Sequence, residues 1–302
     1  MGKFLVMGLL NVETTMKVPC IPMEHIPITF PFFGIKTNVS GTSFNVSKAL
    51  NILGDEVRLA SIIGKDLRGE QIRARLKKEQ ISGTYILENL KETPESIILY
   101  DQKGTRQIFC DLKDVQEAEY DKKLFRDAIK EQDVVFFGNT NFCRPFLKEA
   151  KKSGKLVAAS VHAIKSSEDE FNKDFMEAAD ILFVSDDNLE GSPYDFIEEL
   201  KTKYHNKIIV LGRGAKGAML YSEKDKFVGN FPSVKTRQIV NTVGAGEALS
   251  SAFLHFYLKT KNPYQSIKNA ILFASYKIGT TGSANGFLTE EQIEKFYSLI
   301  WK

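Results

Sequence analysis

From residue 121 onward the chain repeats one unit, a short apolar, β-prone run followed by a segment of helical period. Strands are predicted at 134–137, 155–159, 181–184 and 208–211, with helices between them. Parallel strands joined by helices require crossovers, so this alternation dictates an α/β domain with a mainly parallel sheet and helices on both faces. Upstream, 4–7 and 57–63 read as further strands. Helices are predicted at 43–53, closed by Gly54, and at 67–78, with Leu67, Ile72 and Leu76 on one side. Three helices, at 247–258, 263–278 and 289–299, complete the pattern. No internal repeat or long linker interrupts it, so 1–302 reads as one domain.

One stretch departs from the alternation. Residues 12–36 carry Pro19, Pro22, Pro27 and Pro31. Proline has no N–H to give to a ladder, which predicts an edge element or an exposed flap. Further strands are predicted at 84–87, 96–100 and 106–110, the last two flanking the turn signal Asp101-Gln102-Lys103-Gly104. Together, 12–38 and 84–110 suggest a small β-sheet standing off the main domain. It is either a lid over a site or a surface meander, and Phe30, Phe32 and Phe33 are either an apolar wall or the core of that lid.

Composition narrows the function. Against 41 basic residues stand 38 acidic ones, a net charge of +3. That excludes a dedicated nucleic-acid surface, which needs concentrated positive charge. Cys20, Cys110 and Cys143 are odd in number and lack metal-type spacing, which suits a reducing cytosol. Neither a signal-peptide pattern nor an apolar run of spanning length occurs, so a cytoplasmic protein with no membrane partner is expected. The Gly-x-x-x-x-Gly-Lys-Ser/Thr loop, His-Glu-x-x-His and paired Cys-x-x-Cys are missing. His25, His162, His205 and His255 are dispersed, and His255 reads as a structural histidine in a buried helix. Gly212-Arg213-Gly214-Ala215-Lys216-Gly217 matches the dinucleotide fingerprint by letter, but β-like Ala218-Met219-Leu220-Tyr221 follows where a helix is required.

Chemistry concentrates in Asn241-Thr242-Val243-Gly244-Ala245-Gly246-Glu247, which runs into a helix rich in small apolar residues. Glycines let the backbone turn tightly, and the first amides of a helix have no intrahelical partner. Such a turn can hold a phosphoryl group while the adjacent carboxylate accepts a proton. An ordinary loop-to-helix junction, with Glu247 as a favourable first-turn acid, fits these seven residues equally well.

Taken in order, several segments resemble the ribokinase-like (phosphofructokinase-B) family of carbohydrate and nucleoside kinases. Val6-Met7-Gly8-Leu9-Leu10-Asn11-Val12-Glu13 is similar to the family's first strand and its sugar-binding acid. Ser40-Gly41-Thr42-Ser43-Phe44-Asn45 resembles the Gly-Gly-x-Gly-x-Asn element. Ala49-Leu50, Leu53-Gly54, Val57, Ile63-Gly64-Lys65-Asp66 and Gly69 follow the signature region. The stretch 211–217 resembles a nucleotide-side Gly-x-x-Gly turn, and Asn241 to Glu247 the family's Asp-Thr-x-Gly-Ala-Gly-Asp. Ala274-Ser275 and Gly282-Ser283-Ala284 resemble the adenine-pocket helix and the turn after it.

The resemblance implies a three-layer α/β/α sandwich with a small β lid. It implies transfer of the γ-phosphoryl of Mg2+-bound ATP to a hydroxyl, often a primary alcohol, of a small sugar or nucleoside. By position Glu247 is then the base, and the amides of Gly244, Ala245 and Gly246 form the anion hole. Asn11, Glu13, Gly41, Asn45 and Asn139 fall on the substrate side, with Gly214, Gly217, Thr242 and Ser275 on the nucleotide side. An exposed lid sheet also offers a surface for a homodimer.

Three departures qualify this. Glu13 and Glu247 stand where the family has Asp, and the extra methylene of Glu247 shifts a carboxylate by about an ångström, enough to lower a rate roughly 100-fold. Asn241 replaces an Asp near the place where many members hold a monovalent cation, which leaves that cation open. Where relatives carry Asn-x-x-Glu, this chain reads Ser185-Asp186-Asp187-Asn188, and no metal ligand is assigned. A kinase fold that binds a sugar or nucleotide without turnover is the competing expectation.

Overall fold

The structure, a computed structural model, describes residues 1–102 and 104–301. Strand β1 (Lys3–Met7) shows how its main sheet is made. Phe4 and Val6 pack into the core on one face, Leu5 and Met7 into the core on the other, and all four are fully buried. Strands buried on both faces need continuous apolar runs, which is what the sequence supplies.

After β1 the chain forms β2 (Asn11–Lys17), β3 (Ile35–Ser40), α1 (Thr42–Ile52), β4 (Glu56–Gly64), α2 (Leu67–Lys78), β5 (Ile86–Leu90), β6 (Glu95–Tyr100) and β7 (Arg106–Asp111). Then follow α3 (Lys122–Ala128), β8 (Val134–Gly138), α4 (Arg144–Lys152), β9 (Leu156–Ala163), α5 (Lys173–Ala178), β10 (Ile181–Ser185) and α6 (Pro193–Tyr204). The chain ends with β11 (Ile208–Gly212), β12 (Ala218–Ser222), β13 (Phe227–Phe231), α7 (Ala245–Thr260), α8 (Pro263–Lys277) and α9 (Glu290–Ile300).

The main sheet has the order β13-β12-β11-β10-β9-β8-β1-β4-β5. It is parallel from β11 to β5, while β12 and β13 close one edge as antiparallel strands. Leu254, Phe253 and Phe273 from α7 and α8 fill one face, and Phe125, Phe146 and Phe175 from α3, α4 and α5 the other. This is the expected α/β sandwich. The glycine-rich stretch after β11 passes through one 3-10 turn (Gly214–Lys216) into β12 and not into an α-helix, so the dinucleotide reading fails on geometry as it does on sequence.

The second sheet has the order β3-β2-β6-β7. All four expected prolines lie between β2 and β3, where no strand forms, and β2 itself is interior, pairing with β3 and β6. Of the turn residues between β6 and β7, Lys103 lies outside the described residues.

Three expectations need correction. The strand predicted at 84–87 runs from Ile86 to Leu90 and pairs in parallel with β4, so it belongs to the main sheet and not to the lid. Leu67, in the first position of α2, is 80% exposed, while Gly69, Ile72 and Leu76 carry the buried face. Phe30, Phe32 and Phe33 are exposed and form no lid core. His255 is buried as expected, with Nδ1 bonded to Asp55 at 2.7 Å.

Candidate active site

Gly244 caps α7 in the left-handed region, with φ 79° and ψ 8°. A Cβ there would stand 2.2 Å from the Ser283 carbonyl oxygen, so only glycine lets this turn approach the loop after α8 so closely. Ala245, Gly246 and Glu247 then open the helix. The Ala245 N–H closes onto the Thr242 carbonyl at 3.2 Å. Among the described residues, the N–H groups of Gly244, Gly246 and Glu247 have no partner within the protein. Unpaired amides at the positive end of a helix make an anion-holding concavity. Glu247 is half-buried beside it, and among the described residues its carboxylate accepts no hydrogen bond.

A second cluster lies on the other side of Ser283. Glu13 of β2, Ser40 at the end of β3, Asn45 of α1 and Ser283 are all buried. The Ser40 hydroxyl donates to Glu13 Oε2 at 2.9 Å, and the Ser283 N–H donates to Oε1 at 3.3 Å. The Ser40 and Ser283 hydroxyls are 2.7 Å apart, and Ser283 Oγ donates to Asn45 Oδ1 at 3.4 Å. Burial pushes the Glu13 carboxyl above its ordinary value, opposed by the bonds from Ser283 and Ser40 and by the charge of Lys277. Two residues earlier on the same face of β2, Asn11 donates Nδ2 to Ser96 at 3.1 Å. Its buried Oδ1 has no partner among the described residues, the kind of orphaned acceptor that a ligand hydroxyl satisfies. Gly41, with φ 100°, lies against the Leu9 carbonyl, where a Cβ would come within 2.3 Å. Asn139, just after β8, donates to Asn172 at 3.0 Å and, among the described residues, shares no hydrogen bond with this cluster.

Of the residues expected on the nucleotide side, Gly214 lies in the β11–β12 turn with open space around it. Gly217, with φ 91°, packs on the Phe231 carbonyl. Ser275 donates to the Val234 carbonyl at 2.5 Å and meets Thr236 at 3.0 Å, tying α8 to the connection that leads into α7. Thr242 is met from the lid: Arg106 of β7 donates to its hydroxyl at 2.8 Å and pairs with Asp187 at 2.9 Å. Asp186 is held by Arg213 at 3.3 Å.

Arg106 and Lys277 escape sequence reasoning. Lys277, in the last turn of α8, is fully buried, and its ammonium donates to the Val243 carbonyl just before the anion-holding turn. A signal existed, because Lys277 falls on the apolar stripe of α8, seven residues after Ala270 and three after Ala274. Nothing local marks Arg106, whose contacts join residues far apart in the chain.

A family model described as "pfkB family carbohydrate kinase" matches residues 14–290. The chain belongs to this family. Among curated relatives, it is 22% identical to the deoxyribokinase of Salmonella typhi, covering 92% of this chain and 93% of that protein. It is 23% identical to the bifunctional protein HldE of a Nitratiruptor strain over 87% of this chain, which spans only 58% of HldE. Among solved structures, the microbiome-derived acarbose kinase Mak1 matches with a TM-score of 0.89 at 22% identity, covering 99% of this chain and all of that one. This pfkB-family chain thus has the family's fold, and the turn before α7 falls inside the matched region together with Ser40, Asn45 and Ser283, while Glu13 lies one residue before it.

Proposed function

We propose that this pfkB-family protein transfers the γ-phosphoryl group of ATP to a hydroxyl, a primary alcohol, of a small sugar or sugar-like molecule. The observation that carries this reading is the left-handed turn at Gly244, where unpaired amides and the unengaged carboxylate of Glu247 share one mouth. The Glu247 carboxylate takes the proton of the attacking hydroxyl. The new O–P bond forms as the bond to the β,γ-bridging oxygen breaks, and the Gly244 and Gly246 amides hold the charge on the transferring group. The substrate hydroxyls lie toward Asn11, Glu13, Gly41 and Asn45, with Asn139 at the margin. The nucleotide lies toward Gly214, Gly217, Thr242 and Ser275.

Among the described residues no group of three His, Cys, Asp or Glu side chains forms a metal cage. Mg2+ needs none, since it is carried on nucleotide phosphates and water with one or two carboxylates. Asp186 and Asp187 are already paired with Arg213 and Arg106, so neither is a free ligand for it. Bound Mg2+ would neutralise charge on the phosphates. The relatives' names run from a deoxyribokinase to an acarbose kinase, which supports a carbohydrate acceptor without fixing its size. The lid sheet exposes Ile35, Ile97 and Phe109, which suits pairing of two lids in a homodimer.

A second reading, a protein that binds without turnover, is favoured by one observation: Ser40 and Ser283 already engage the carboxylate of Glu13. A panel of sugars and nucleosides assayed for substrate-dependent ADP release separates the two. Release by the wild type supports the kinase; binding of ATP and a sugar with no release across the panel supports the second reading. Glu247→Asp sharpens the outcome. A rate that rises marks the longer acid as an impairment, and one that falls roughly 100-fold marks a site built around glutamate.

A further inference from the structure

Lysine is almost never fully buried unless it is paired, yet Lys277 is fully buried and, among the described residues, forms no salt bridge. Its one hydrogen bond there is to the Val243 carbonyl. Packing of α8 does not require a charge at this position, since the neighbouring buried residues Ile271, Leu272 and Phe273 are apolar.

What the ammonium holds is the back of the phosphate turn. In a trans peptide the C=O and the following N–H point in opposite directions. With the Val243 carbonyl drawn toward Lys277, the Gly244 N–H is aimed the other way, and it is one of the amides without a partner. The same end of α8 clamps the turn a second time, because the Ile278 carbonyl accepts from the N–H groups of Val240 and Asn241 at 2.9 and 3.0 Å. Charge points in the same direction. Glu247 of α7 and Glu13 of β2 favour the charged form of Lys277, and Arg106 of β7 and Arg237 oppose it. Two acids flanking a turn that must hold a polyphosphate repel it unless a cation stands behind the turn.

We propose that Lys277 is the built-in cation of the phosphate site, a positioning residue that fixes the Val243–Gly244 peptide and offsets Glu13 and Glu247 so that the turn accepts a phosphate anion. This rests on the phosphoryl-transfer reading of the turn.

The test compares the wild type with Lys277→Met, which fills the same volume, and Lys277→Ala, which leaves room for a small amine. Binding of β,γ-imido-ATP with Mg2+ and of adenosine is measured by calorimetry, alongside thermal melts. Both variants are expected to fold and to hold adenosine within about twofold of the wild type, while the triphosphate analogue binds on the order of tenfold more weakly or worse. Methylammonium is expected to restore analogue binding to Lys277→Ala and not to Lys277→Met. Analogue affinity within about threefold of the wild type in both variants overturns the proposal. So does a parallel loss of adenosine and analogue, which marks a scaffold role. A wild type that turns over no sugar or nucleoside, but whose analogue binding still depends on Lys277, defeats the kinase reading and leaves this one standing.

Discussion

Glu13 and Glu247 both act electrostatically on Lys277, but their surroundings differ. Glu13 is 2% exposed, accepts bonds from Ser40 and Ser283, and has its carboxyl pushed upward by burial. Glu247 stands half-buried at the mouth of a glycine turn, with no hydrogen-bond partner among the described residues. A carboxylate enclosed by donors organises its neighbourhood, whereas one left unengaged is available to a reacting hydroxyl. The same residue type is therefore a framework group on one side of Ser283 and a candidate base on the other.

The largest expected effect comes from exchanging the two acids for their amides. Glu247→Gln should lower kcat by about 10²- to 10⁴-fold, the range for a lost general base, with only a small change in melting temperature, because no hydrogen bond is removed and only its charge beside Lys277 is lost. Glu13→Gln should act chiefly on the KM of the sugar and on stability. Steady-state kinetics and melts on both variants check this, and a kcat loss in Glu13→Gln as deep as in Glu247→Gln breaks the distinction.

Next in size is a pair of opposed pH effects. The folded value of Glu13 lies above the ordinary 4.5, so as pH rises from there the unfolded chain has released a proton that the folded protein still holds. Stability then falls with rising pH, and Glu13→Gln should lack that fall. Lys277 is lowered by burial to about 8 from 10.5, with Glu247 and Glu13 opposing the shift. Between those values the unfolded chain keeps a proton that the folded protein has lost, so stability rises with pH across this window. The wild type should gain on the order of 3 kcal/mol across this window, and Lys277→Met should lack the rise. Denaturant melts from pH 4 upward, on a scale of roughly one unit per step, read both slopes. A less stable Lys277→Met would mean that the buried ammonium holds the fold together and not the phosphate turn.

Much of this was legible from the chain. The main sheet could be read because each strand buried on both faces is a continuous apolar run, as in β8 and β11. The turn at Gly244 could be read because everything it needs, glycine, helix start and carboxylate, lies within a few residues. The lid was only half legible. Strand β5 reads Ile-Leu-Glu-Asn-Leu, a sequence that suits either sheet, and only its long-range pairing with β4 decides. Ser40 reads as a replaced glycine and Ser283 as part of the turn after the adenine-pocket helix, and their meeting at Glu13 depends on a contact between positions 243 residues apart. Lys277 was hidden by habit more than by physics, since a lysine near a helix end ordinarily reads as solvated.

The smallest expected effect tests whether the two sides are mechanically joined. Arg106 sits on β7, which pairs with β6, which pairs with the β2 strand that carries Glu13, while its guanidinium reaches Thr242 beside Gly244. Its ion pair with Asp187 is partly exposed, so Arg106→Ala should change stability by under about 1 kcal/mol. If the lid moves as one sheet, loss of this strut should raise the KM values for nucleotide and sugar together, each by roughly threefold, and added salt should raise them in the wild type as well. A rise confined to the nucleotide would reduce Arg106 to a local contact with Thr242 and Asp187. The Glu13 cluster and the Gly244 turn would then be coupled through Lys277 and through Ser283, where the Gly244 backbone already lies against the Ser283 carbonyl.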